Sequence, residues 1–421
     1  MVSKEPHLTK SFEHLKQAKG LIPGCSQTFS KGPHWFPFGV YPVYLQRGEG
    51  GHVWDVDGNQ YIDLILGLGA ITLGYKYSAV DQAIRRQLDD GIIFSLPHPL
   101  EIEVAELLHH IIPCAEMVRF SKTGSEVTSA AIRAARAFTR REKVAYRGYH
   151  GWHEWYTVKS DRPKGIPQVL KDYIFQFEYN DIGSLERIFA EHPNEIAAII
   201  MEPTIYEPPK NDFLGQVKDL THQNGALLIF DEIVTGFRLA IGGAQEYFGV
   251  TPDLATFGKG MANGMPLAAV VGRRDIMQEF EEVFFSTTFG GECLSLASAK
   301  VTIEEMLRKN AILHVWELGN KLVAGLKELR FSVIGYPCRP TILLDGETPE
   351  LRSLFMQELV KRGMLVHSSG INLCFSHTDE DINKMLAACA EAKEVLDKAV
   401  REHRVLDMLE GQVIQPAFKR F

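Results

Sequence analysis

From Ser78 onward, short apolar runs alternate with segments of helical periodicity, and this alternation limits the fold more than any other feature of the chain. Helical patterns at 79–88, 100–112 and 126–139 interleave with strand-like runs at 117–120 and 143–146. Residues 197–201, 226–230 and 268–271 are continuous apolar runs, with a helical pattern at 214–224 between the first two. Strands that are apolar at every position are buried on both faces. The pattern therefore predicts an α/β fold with a mixed, mainly parallel sheet flanked by helices.

The pattern changes at both ends. A helical pattern at 11–18 is followed by strand-like runs at 43–45, 52–55 and 60–63, the last two joined by an Asp57-Gly58 turn. After 310 come a long helix, a run at 331–344, a helix near 351–362 and a final helix at 380–402. At 421 residues the chain is long for one hydrophobic core. The expected division is a large domain at 71–310 and a smaller α+β domain built from 1–70 and 311–421.

Charge and cysteine content exclude some functions. Lys and Arg total 45 against 53 Asp and Glu, a net charge of −8. Such a balance does not suit general binding to nucleic acid or an anionic membrane, and neither is an expected partner. No apolar run reaches the roughly 18 residues that cross a bilayer. The opening residues 1–7 lack the apolar stretch of a secretory signal. The six cysteines are scattered without a CxxC pair, so no zinc site or disulfide framework is expected. The expected location is the cytoplasm.

Five short segments carry candidate chemistry. In Ser121-Lys122-Thr123-Gly124-Ser125-Glu126, between a strand and a helix, Gly124 permits close approach and the helix start favours an anion such as phosphate. The same residues also read as an ordinary helix cap. In Gly148-Tyr149-His150-Gly151-Trp152-His153, an aromatic such as Tyr149 is suited to stack on a flat ring. His150 and His153 allow a metal-hydrolase reading, but no carboxylate-rich or cysteine pattern accompanies them, and a packed loop is the simpler alternative. The run 227–230 ends abruptly in Asp231-Glu232, where ligands of open α/β sheets meet strand ends. A buried Asp231 needs a partner such as a protonated pyridine; a capping acid is the alternative. Lys259 lies between Gly258 and Gly260 after another strand-like run. Flanking glycines give access to an amine that can form a Schiff base with an aldehyde, although a lone loop lysine is more commonly a solvated charge. The stretch Ser286-Thr287-Thr288-Phe289-Gly290-Gly291-Glu292 suits either a phosphate or a plain turn.

Together, an anion site, a stacking aromatic, a carboxylate at a strand tip and an accessible lysine meet the requirements of pyridoxal 5′-phosphate. A dinucleotide-binding reading of Gly67-Leu68-Gly69 lacks the GxGxxG pattern. A non-enzymatic protein that keeps the fold would be free to lose Asp231 and Lys259, and both are intact.

These segments resemble class III, fold-type I pyridoxal-phosphate aminotransferases, especially the branch that includes glutamate-1-semialdehyde aminomutase. The likeness runs from about Ile22 to Asp381 and includes the stretch 54–63, Gly124-Ser125-Glu126, Tyr149-His150-Gly151, Glu202-Pro203, the stretch 231–238 and Lys259. The resemblance implies that Lys259 holds the cofactor aldehyde and carries the proton between substrate and cofactor. It implies that Asp231 partners the pyridine nitrogen, that Ile233 packs on the ring face opposite Tyr149, and that Gly124 and Ser125 bind the phosphate. Glu202 would lie near cofactor and substrate. Thr288 would reach the phosphate of a neighbouring subunit, which implies a homodimer with active sites at the interface. A small-molecule amino donor and a carbonyl acceptor are the implied substrates.

Three departures from the aminomutase branch surround the substrate pocket rather than the cofactor. Residues 23–31 contain Lys31 but none of the arginine found in that branch, Phe289-Gly290-Gly291-Glu292 replaces its loop, and 367–372 is short. Lysine does not reproduce the bidentate pairing of arginine with a carboxylate. The expectation is therefore amino transfer between two molecules, with the intramolecular aminomutase reaction as the alternative.

Overall fold

The computed structural model describes residues 7–415. The segment 1–6, part of the leader reading, and residues 416–421 of the expected small domain lie outside the described residues. The chain forms two compact units, one running to Tyr77 and resuming at Leu313, the other spanning Ser78–Ile312.

In the first unit, β1 (Leu45–Glu49), β2 (His52–Asp55) and β3 (Gln60–Asp63) pair antiparallel in succession. The β2–β3 connection is the Asp57-Gly58 turn. Asp55 Oδ1 accepts the N–H groups of Asp57 and Asn59 at 3.0 and 2.8 Å, and Gly58 sits at φ +93°. Pairing of β1 begins at Leu45 rather than at Val43, because the N–H groups of Val43 and Tyr44 donate to Ser11 Oγ at 3.0 and 3.4 Å instead of to a strand.

The second unit is built on a seven-stranded sheet: β4 (Met117–Ser121), β5 (Lys143–Arg147), β6 (Ile174–Gln176), β7 (Ile196–Met201), β8 (Leu227–Asp231), β9 (Leu254–Phe257) and β10 (Ala268–Gly272). The spatial order is β4-β10-β9-β8-β7-β5-β6. β10 runs antiparallel to β4 and β9, and the remaining pairings are parallel. β4, β5, β7, β8 and β9 therefore all end on one edge. Every residue of β7 and β8 is buried, as their unbroken apolar runs require. Helix Gly124–Thr139 packs on the core through Ala130, Ala131, Ala134 and Ala135, whose small side chains allow a close approach.

Helix Cys293–Arg308 was not expected from the sequence. It buries Ser295, Ser298 and Thr302 alongside Leu296, Ile303 and Met306, so no clean apolar stripe marks it. β6 and helix Ile182–Glu191 were likewise unexpected. The first unit resumes with the hairpin of β11 (Ser332–Tyr336) and β12 (Arg339–Leu343), with β13 (Met364–Leu365) parallel to β3, and with helices Pro349–Lys361 and Asp379–Arg401. No helix among the described residues is long and apolar enough to cross a membrane.

Candidate active site

Five strand ends on the common edge of the second unit carry most of the residues singled out by sequence. β4 ends at Ser121 and leads to Gly124 and Ser125. β5 leads to Tyr149 and His150, β7 to Glu202, β8 to Asp231 and Ile233, and β9 to Lys259. Connections of parallel strands leave their ligand-facing loops at the carboxyl ends.

At β4, Thr123 caps helix Gly124–Thr139. Glu126 Oε2 accepts from Ser121 Oγ, the Lys122 N–H and the Thr123 N–H at 2.7, 3.0 and 2.8 Å. Burial works against this carboxylate, but these donors outweigh it and hold Glu126 below the usual carboxylate range. The turn is thus fixed ahead of a helix start, where N–H groups lack intrahelical partners.

At β8, Asp231 is 3% exposed. Its Oδ1 accepts the Ile233 N–H at 3.1 Å and the Thr256 hydroxyl at 3.3 Å. Its Oδ2 lies 2.7 Å from His150 Nδ1. The next residue, Glu232, points elsewhere. It accepts the Thr235 hydroxyl and the N–H groups of Ala244 and Gln245 at 2.8 and 2.9 Å, and burial pushes it up to about 7. Two adjacent acids thus have different tasks: Glu232 pins the following loop, while Asp231 belongs to the strand-end cluster.

Ile233 lies between two glycines. A Cβ on Gly124 would come within 3.2 Å of Ile233 Cδ1, and one on Gly258 within 3.1 Å of the same atom. The start of the Gly124 helix, Ile233 and the residue before Lys259 are therefore neighbours. Lys259 is half-buried with φ +40°, a conformation uncommon for a residue with a side chain. Such backbone strain concentrates at functional sites.

The β5 loop packs on the same helix. Ser125 Oγ accepts the Trp152 N–H at 3.1 Å, and a methyl on Gly151 would collide with the Ser125 side chain. Tyr149 is exposed, edge-on to Tyr156 with ring centroids 5.7 Å apart. Gly148 leaves room for Glu202, whose Cγ would lie 3.0 Å from a Cβ at that glycine. Thr288 stands outside this group, exposed on the segment leading to Glu292. Glu292 accepts the Leu294 N–H at 2.7 Å to cap helix Cys293–Arg308, and pairs with Lys122 Nζ at 2.9 Å. The end of the Thr288 segment is thereby tied to the turn before Gly124.

His150 is the residue whose place the sequence reading missed. It is 1% exposed, and its Nε2 lies 3.1 Å from the Arg147 carbonyl oxygen. Its position just past the end of β5 was the available signal. His153 turns away, with Nδ1 2.6 Å from Ser129 Oγ. Among the described residues no group of three His, Cys, Asp or Glu side chains is arranged to hold a metal ion.

The cluster fits pyridoxal 5′-phosphate. Asp231 is a buried acid whose anion a protonated ring nitrogen would complement. The absence of a Cβ at Gly124 and Gly258 lets the helix start and the step before Lys259 close on Ile233, whose apolar side chain suits a ring face, and a capped helix start suits the phosphate. Lys259 would supply the amine.

Comparison with known proteins gives a consistent result. The family model described as Aminotransferase class-III matches residues 38–390. The 3-aminobutyryl-CoA aminotransferase of Cloacimonas acidaminovorans is 37% identical over 406 residues, covering 91% of this chain and 97% of that protein. A glutamate-1-semialdehyde 2,1-aminomutase of Alkaliphilus oremlandii is 35% identical over 426 residues, covering 93% of this chain and 100% of that protein. The solved structure of the PLP internal aldimine form of the FumI protein from Sphingopyxis sp. MTA144 matches with a TM-score of 0.89 at 26% identity, covering 96% of this chain and 99% of that chain.

Proposed function

This chain belongs to the class-III aminotransferase family, and from that premise we propose which of its residues perform the chemistry and which molecules it acts on. It is a pyridoxal-phosphate-dependent enzyme of fold type I that transfers amino groups. The observation that carries the residue assignment is the meeting of Asp231, Ile233 and the Gly258-Lys259 step at the ends of adjacent strands β8 and β9.

When bound, the cofactor supplies an aldehyde that takes up the amino group and a ring that withdraws electrons from the substrate Cα. Lys259 anchors the aldehyde end through Nζ. As a free amine, Lys259 would be the base that moves the substrate Cα proton. Asp231 keeps a proton on the ring nitrogen by offering a buried negative charge. Gly124 and Ser125 receive the phosphate at the helix start. Tyr149 and Ile233 would hold the ring faces, and Glu202 would stand by the substrate. The donor leaves as a keto product before the acceptor enters, which is ping-pong kinetics.

The proposed acceptor class is a β-carbonyl acyl compound, supported by the 37% identity to a 3-aminobutyryl-CoA aminotransferase. Lys31 in a segment without arginine supports transfer between molecules over the aminomutase reaction. Screening donors and β-keto acyl acceptors by product analysis tests both points. Conversion of glutamate 1-semialdehyde alone, without a donor, would contradict the choice.

The proposed assembly is a homodimer in which Thr288 reaches the partner's phosphate. Ile92, Ile93, Phe94 and Leu96 are exposed apolar residues, and the Ile92 carbonyl accepts the Cys293 N–H at 2.9 Å, beside the Thr288 segment. The proposed location is the cytoplasm, a reducing compartment that suits six free cysteines.

A further inference from the structure

Helix Gly124–Thr139 holds the loop after β5 at three successive points. Ser125 Oγ accepts the Trp152 N–H at 3.1 Å, the Thr128 hydroxyl donates to the His150 carbonyl at 2.9 Å, and Ser129 Oγ accepts Trp155 Nε1–H at 2.9 Å. The last contact fixes the Trp155 indole, which lies nearly parallel to the His150 ring, 17° between planes and 6.1 Å between centroids. Tyr156 and Tyr146 meet the His150 ring edge-on at 5.5 and 6.4 Å. The imidazole is thus confined on several sides.

Its two nitrogens both face acceptors, Asp231 Oδ2 at 2.7 Å and the Arg147 carbonyl at 3.1 Å. A carbonyl oxygen and an ionised carboxylate can only accept. A ring that satisfies both carries a hydrogen on each nitrogen. A small rotation or shift of this ring would break one bond or the other, and the indole plane resists that motion. The latch is itself buttressed. With Trp155 N–H on one lone pair, the Ser129 hydroxyl is left to donate to His153 Nδ1 at 2.6 Å, and burial lowers the His153 pKa, which favours the neutral ring this needs.

We propose that Trp155, latched by Ser129, is a positioning residue that holds His150 as a two-ended donor between the Arg147 carbonyl and Asp231, fixing the Asp231 carboxylate for the cofactor ring nitrogen. The device links the start of the helix that would take the phosphate to the acid that would take the ring. It rests on the assignment of Asp231 above. It adds Trp155 and Ser129, which act through His150.

The test uses 15N-histidine spectra of the protein, with and without pyridoxal phosphate, near neutral pH, for the wild type and for Trp155→Leu, Trp155→Phe and Ser129→Ala. His150 is assigned by its absence in His150→Asn. The expected wild-type result, in both states, is a His150 ring protonated on both nitrogens. Trp155→Leu is expected to convert one nitrogen to the unprotonated type or expose its proton to fast exchange. In the holoenzyme it should slow the first half-reaction by roughly tenfold or more through misplacement of Asp231, with donor KM little changed. Trp155→Phe and Ser129→Ala should give smaller effects in the same direction, and they decide the matter if the leucine variant does not fold. An unprotonated His150 nitrogen in the wild type overturns the proposal, as do variants with wild-type ring signals and half-reaction rate. The cofactor-free spectra read this device independently, so an error in the Lys259 assignment leaves that arm intact.

Discussion

His150 Nδ1 and Asp231 Oδ2 lie 2.7 Å apart although 81 positions separate them in the chain. Both residues are at most 3% exposed. The strand order explains the meeting, since β5 and β8 flank β7 and all three end on one edge. Asp231→Asn keeps the shape but removes the buried charge. The first half-reaction should slow by roughly 100-fold or more, from the lower end of the range for a lost proton-handling group upward. Rapid-mixing absorbance of the cofactor-loaded protein measures this, with cofactor content determined separately.

Gly151→Ala should weaken cofactor retention by about tenfold, near 1.4 kcal/mol. The added methyl collides with Ser125 at the helix start, and φ is +97° there. Gly165 has φ +89° with open space around it, so Gly165→Ala separates backbone strain from collision. Equilibrium binding of pyridoxal phosphate is the measurement. Equal losses in the two variants would assign the effect to strain.

Glu292→Ala removes the cap of helix Cys293–Arg308 and leaves Lys122 without its carboxylate. A stability loss of about 2 kcal/mol is expected, from the cap and the partly buried ion pair together. Glu292→Gln keeps the capping oxygen and should recover part of it. Denaturant unfolding of both variants checks the order.

The first unit should show an acid-sensitive step. Burial lowers His377 from 6.5 to about 4, and its Nδ1 accepts the Cys374 N–H at 3.1 Å in the neutral form. The unfolded chain therefore takes up this proton first as pH falls. The stabilisation is present above about 6.5 and lost progressively toward 4, up to the order of 3 kcal/mol. His377→Asn keeps an acceptor and should flatten stability across that window. Asp381, held at about 2 against burial by His52 and Thr378, loses its contribution only at lower pH, between 3.8 and 2.

Apart from β6, the sheet was legible because most of its strands are apolar at consecutive positions and its turns carry glycine and capping acids. Gly124, Ser125, Tyr149, Asp231 and Lys259 were legible from their own segments, whereas Glu202 and Ile233 came only from the family resemblance; all seven follow strand ends on one edge, and their roles are proposals. Thr288 stands apart, because its proposed partner belongs to another copy of the chain. His150 escaped assignment because its partner is remote in sequence, and a histidine beside a second histidine reads as a metal ligand or as packing. Helix Cys293–Arg308 escaped because buried serines and threonines blur its apolar face. The start of β1 shifted because a distant hydroxyl, Ser11, takes the backbone donors that a strand would use.

The central assignment is tested most directly by loading the protein with pyridoxal phosphate, reducing with borohydride and mapping the labelled peptide. One reduced adduct is expected on Lys259, and none at that peptide in Lys259→Ala, which should also lose the visible absorbance of the bound cofactor. A label on a different lysine, or an unlabelled protein that still transfers amino groups, would contradict it.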